Sequence, residues 1–163
     1  MPLYGRLRSP GSAALRSRFW IVDDVGMEQS ANEDAGTHEV ALRGPTGDIG
    51  GQLSVSRSAQ LWTVVPTADG RTWHSGGGDL FSALRDLRVG PDGDNFVIGL
   101  NGARPECVVS GVLADMGEGR KAHVLTLPRV EKRPERVRTL GPAPLDDVAD
   151  VVTQDEYKRR WHG

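Results

Sequence analysis

Apolar residues recur at helical spacing at Leu80, Leu84 and Leu87, with Phe81 widening the stripe and Arg85, Asp86 and Arg88 filling the positions between. That pattern predicts an amphipathic helix of about three turns. Gly76-Gly77-Gly78 punctuates its start, Asp79 offers an N-cap carboxylate, and Gly90-Pro91-Asp92-Gly93 turns the chain at its end. Phe96 to Leu100 then reads as a short buried strand. Ser110 can cap a second, shorter helix carrying Val112, Leu113 and Met116, which Gly117 stops. Lys121 to Leu127 alternates imperfectly, placing Lys121, His123, Leu125 and Leu127 on one face of a further strand.

Upstream, Phe19-Trp20-Ile21-Val22 is aromatic and β-branched and predicts a central strand. Glu39 to Arg43 and Leu53 to Val55 follow as short strands. Leu61 to Val65 and Thr72 to Ser75 flank Asp69-Gly70, a hairpin signal. Five strands therefore precede the helix, most simply as an antiparallel meander with one face closed by the helical segment. Pro128 to Arg138 reads as irregular. Leu145, Val148, Ala149 and Val152 fall on one face of a C-terminal helix, with Asp146 and Asp147 early and Lys158, Arg159 and Arg160 late, as the helix dipole favours. The fold expected is α+β: a mostly antiparallel sheet of short strands with one central helix, one short helix and a C-terminal helix packed on it. Residues 1–15 read as a flexible arm and 16–163 as a single domain.

Composition makes that core lean. Of 163 residues 37% are hydrophobic, while 21 are glycine and 10 proline, so glycine fixes several turns that packing does not. Stabilisation by a second subunit is compatible with such a core, and a homo-oligomer stays open. Cys107 is the lone cysteine, which excludes an internal disulfide and suits a cytoplasmic protein. No apolar run approaches the roughly 20 residues that span a bilayer, and no apolar stretch follows the basic N-terminus as in a secretory leader. Seventeen arginines against three lysines suggest a GC-rich bacterial source.

The formal net charge of −2 conceals an asymmetry. Residues 1–18 hold Arg6, Arg8, Arg16 and Arg18 without an acid, whereas residues 19–42 hold Asp23, Asp24, Glu28, Glu33, Asp34 and Glu39 without Lys or Arg. A one-signed stretch of this kind steers association with a partner of opposite charge, although a solvated loop is the plainer explanation.

The other candidates for chemistry are sparse. Gly76-Gly77-Gly78-Asp79 lacks the lysine and hydroxyl of a phosphate loop, and an acid at the cap repels phosphate. Gly117, Gly119, Arg120 and Lys121 make a better anion site, with turn amides beside two cations, against the simpler reading of a helix stop and a tight turn. Cys107 with His74 or His123 would supply a thiol nucleophile and its base, but Val108 and Val109 suggest a buried small hydrophobe instead. Ser110 lacks a nucleophile-elbow motif, and capping accounts for it. No metal-ligand spacing or cofactor motif is present, so no metal and no cofactor are expected. Arg129, Lys132, Arg133, Arg136 and Arg138 form a basic run offset by Glu131 and Glu135, which reads as a solvated loop.

The sequence thus favours a non-enzymatic bacterial binding protein, in its most concrete form an inhibitor or immunity-type protein. Its expected partner is a basic toxin or enzyme, docked through Asp23, Asp24, Glu28, Glu33, Asp34 and Glu39. Neither a membrane nor a nucleic acid is expected as a partner. The alternatives are a small hydrolase or transferase built on Cys107, and a nucleic-acid-associated protein using the arginine-rich segments.

Overall fold

A computed structural model describes residues 33–89, 96–130 and 132–163. The arm at 1–15, the strand expected at Phe19–Val22 and the turn expected at Gly90–Gly93 lie outside them. Residues 34–163 fall in one unit, built on two antiparallel sheets. The larger contains β1 (Gly36–Gly44), β2 (Gly47–Ser58), β3 (Leu61–Ala68), β4 (Arg71–Thr72), β5 (Ser75–Gly77) and β6 (Val97–Ile98). Its order is β4-β3-β2-β1-β6, with β5 also paired to β3. The smaller has the order β7-β8-β9, formed by β7 (Cys107–Val108), β8 (Lys121–Val124) and β9 (Glu135–Arg138).

Alternation decides which face of the large sheet is buried. Val40 and Leu42 of β1, Leu53 and Val55 of β2, and Trp62 and Val64 of β3 all point inward. The register matches these sets, pairing Val55 with Val64 and Leu42 with Ile49. Helix α1 (Leu80–Val89) covers that face with Leu80, Ala83, Leu84 and Leu87. Its start is capped as expected, the Asp79 carboxylate accepting from the Ser82 amide at 2.9 Å. Asp69 and Gly70 both take positive φ, 50° and 72°, which suits the tight β3–β4 turn. Gly102 lets the chain after β6 press against the core, because a Cβ there would stand 2.8 Å from both Leu84 and Thr139.

Strands β1, β2 and β3 outrun their expected lengths, since polar residues and glycines continue the ladders that the apolar positions begin. Helix α2 (Gly111–Asp115) is capped by Ser110, whose hydroxyl accepts from the Leu113 amide. The run after Pro128, expected to be irregular, contains β9. The C-terminal helix, α3 (Val151–His162), begins later than the apolar spacing implies. Residues 145–150 are not helical: the Ala149 amide bonds the Ala103 carbonyl and the Asp147 amide the Pro144 carbonyl. Asp150 supplies the cap at the Thr153 amide. Val152 is 68% exposed, so the side chain that α3 buries in the next turn is Gln154. Helix α3 stays regular through its last turn, where Arg129 stacks 4.2 Å from the Trp161 ring. Among the described residues no helix is long and apolar enough to cross a membrane.

Candidate functional site

Three of the six acids expected to dock a partner, Asp23, Asp24 and Glu28, lie outside the described residues. The other three part company. Glu33 and Glu39 are exposed. Asp34 is only 4% exposed: its carboxylate accepts from the Arg138 guanidinium at 3.0 Å, and its carbonyl oxygen lies 2.8 Å from His38 Nε2. A buried carboxylate needs such a partner, and Arg138 on β9 provides it. Asp34 therefore ties the start of β1 to the small sheet and is not part of an exposed acidic surface.

Glu39 stands on the face of the large sheet opposite α1, across from Gln52. Ala41 and Gly50 face each other beside that pair. The small residues leave a shallow furrow of about 550 Å³ lined by Glu39, Ala41, Gly50 and Gln52. Ser54 and Thr67 extend the same exposed polar face. Among the described residues no helix covers it.

The turn at Gly117, Gly119, Arg120 and Lys121 is organised inward. Glu118 and Gly119 take positive φ, the Gly119 amide bonds the Leu113 carbonyl at 2.8 Å, and the Arg120 amide bonds the Gly117 carbonyl. The Glu118 carbonyl in turn accepts from the Leu80 amide, satisfying a free donor at the start of α1. Glu118 pairs with Arg57 on β2. Arg120 is 16% exposed and turned into the protein, whereas Lys121 is exposed. The amides of Gly119 and Arg120 are thus already bonded, and the two cations do not converge.

Cys107 is fully buried on β7, and burial pushes its thiol up to about 12, so little thiolate exists at neutral pH. His123 sits on the neighbouring β8 but pairs with Val108, while Cys107 pairs with Val124. Adjacent positions on a strand point to opposite faces, which separates the thiol from that imidazole. His74 lies in the link between β4 and β5 of the other sheet.

A cleft of about 410 Å³ opens between the start of α1, the β7–α2 segment and α3. Asp79, Arg85, Asp155 and Lys158 supply its charged walls, and the fully buried Cys107 lies at its lining. Arg85 makes a bidentate pair with Asp155 at 2.9 and 2.8 Å, which holds the Asp155 carboxyl below its ordinary range, and Ser82 donates to Asp79. Below it, Gln154 donates to the carbonyls of Gly102, Arg104 and Cys107 and accepts from Arg88. Nothing in the spacing of the sequence signals this network, because every acceptor but Arg88's partner oxygen is a main-chain group of a distant loop. No protein-family model matches the chain, and no curated protein is similar enough to count as a relative.

Proposed function

We propose that the protein is a non-enzymatic binding protein, of inhibitor or immunity type, that docks a basic protein partner through its acid-only stretch and the open face of its large sheet. The observation that supports this reading most is that, among the described residues, a helix covers that sheet on one face only. Helix α1 lies on one face, while Glu39, Ala41, Gly50, Gln52, Ser54 and Thr67 stay exposed on the other. Small side chains let a partner approach the strands closely, and Glu33 and Glu39 continue the negative sign of Asp23, Asp24 and Glu28. One-signed patches act chiefly on partner choice and encounter rate. The buried Cys107 thiol argues against the hydrolase alternative. The reading is of a cytoplasmic protein, in keeping with a cysteine that has no disulfide partner.

Site-specific photo-crosslinking in the source cells tests it. A photoreactive residue at position 52 or 54 should capture one discrete, lysine- and arginine-rich protein, and D23N/D24N/E28Q/E33Q/E39Q should weaken that capture. Capture only from a control position on α3, such as 152, would contradict the reading, as would capture indifferent to the neutralised acids.

A further inference from the structure

The basic run at 129–138 is interleaved with acids in the sequence, but the strand it forms sorts them by face. Residues alternate along β9, and the register sets Arg138 opposite Lys121 and Arg136 opposite His123. Lys121, His123, Arg136 and Arg138 therefore share one face of the small sheet. Glu135 and Val137 go to the other face, with Ala122 and Cys107, both fully buried. Local electrostatics agree with that division: Arg136 helps to lower the pKa of His123, and Glu135 helps to raise that of Cys107.

Like charges directly opposite on antiparallel strands destabilise a sheet. Arg43, Arg57, Arg85 and Arg104 elsewhere are each matched to a carboxylate. On this face, among the described residues, Arg138 alone is so matched, through Asp34, and its side chain remains 51% exposed. Lys121 and Arg136 are exposed and, among the described residues, belong to no ion pair. The same holds for Lys132 and Arg133, in the loop that leads into β9. Lys121 opposite the paired Arg138, and Arg136 opposite His123, thus leave exposed cations on this face that an anion lying across it would satisfy.

We propose that this face binds the phosphate backbone of single-stranded nucleic acid without reading its bases. Two residues along a strand span roughly 6.8 Å, an interval comparable to that between successive phosphates of an extended strand. Arg136 and Arg138 can follow one backbone, and Lys121 widens the track across the sheet. Arg133 and Lys132 prolong it beyond β9. Regular spacing along a strand suits a polymer of regularly spaced charge better than the scattered carboxylates of an acidic protein. Among the described residues the face carries no Phe, Tyr or Trp, so contact is to phosphate and carries no sequence preference.

Fluorescence anisotropy of the full chain with a labelled, mixed-sequence single strand, across a salt series, tests the proposal. The protein should bind at low salt with log Kd linear in log salt concentration. K121Q/R136Q should lower that slope by about 1.4, two contacts at about 0.7 each, and weaken low-salt binding about tenfold. R71Q/K158Q removes the same charge elsewhere and should change neither. Circular dichroism checks that both variants fold; should the double variant fail, R136Q alone should lower the slope by about 0.7. Absence of binding, or equal losses in both variants, overturns the proposal. Tighter binding to a polyglutamate peptide than to the strand also overturns it, assigning the face to an acidic protein.

Discussion

Gln154 is the side chain on which α3 is hung. Its two amide hydrogens are shared among the carbonyls of Gly102, Arg104 and Cys107 at 2.9–3.0 Å, and its oxygen takes a hydrogen bond from Arg88. Arg88 in turn donates to the Ala149 carbonyl. Burial pushes this guanidinium down to about 10, still charged at neutral pH, and neutral oxygens solvate it in place of a carboxylate. Gln154→Leu keeps the volume but strands these groups, so chemical denaturation should show a loss of about 2–4 kcal/mol; a change near zero would mean that the network contributes nothing. Cys107 should react slowly with a thiol reagent in the native protein and quickly once unfolded, and fast native labelling would revive a thiol nucleophile. Burial and Arg136 lower the pKa of His123 in the fold, outweighing the Pro134 carbonyl that raises it. Protonation is then harder in the folded than in the unfolded state, so this contribution is present above about pH 6.5 and is lost as pH falls through the lower, folded value. Stability measured between pH 7 and 5 should decline less steeply in His123→Gln than in the parent.

At the scale of elements, α1 shows what local pattern determines. Its apolar stripe and its Asp79 cap were readable because each depends on residues within a few positions of one another, and a stripe of that width needs a sheet face to cover it. Leu84 is fully buried, and Leu84→Ala should cost about 2–5 kcal/mol. Arg85→Ala, for which the stripe alone implies no cost, should lose about 0.2–1 kcal/mol, since its bidentate pair with Asp155 is partly exposed. Equal stabilities of the two variants would overturn the assigned face of α1. The start of α3 and the existence of β9 were not readable for a shared reason. Gln154 is polar yet buried, and β9 is charged yet paired, so hydropathy marks neither. Both are fixed by distant partners: the carbonyls of the Gly102–Cys107 loop for α3, and β8 for β9. Asp34 belongs with them, since only Arg138, 104 positions away, makes its burial tolerable.

Across the chain, charge is divided where composition suggests near neutrality: acids gather in residues 19–42 and cations in residues 129–138. Acids precede β1 in the sequence, Glu39 stands on the open face of the large sheet, and cations line one face of the small sheet. The net charge of −2 averages over both. Docking of a basic partner through the acid-only stretch should show in the salt dependence of the association rate with the protein captured by crosslinking. Exposed charges act over about 8 Å at physiological salt, and mainly on encounter. The comparison sets the parent against D23N/D24N/E28Q/E33Q/E39Q, with Asp34 kept so that Arg138 retains its partner. The neutralised protein should associate more slowly and with a flatter salt slope, its folding stability unchanged. Equal rates and equal slopes would show the acids to be solvent-facing and nothing more.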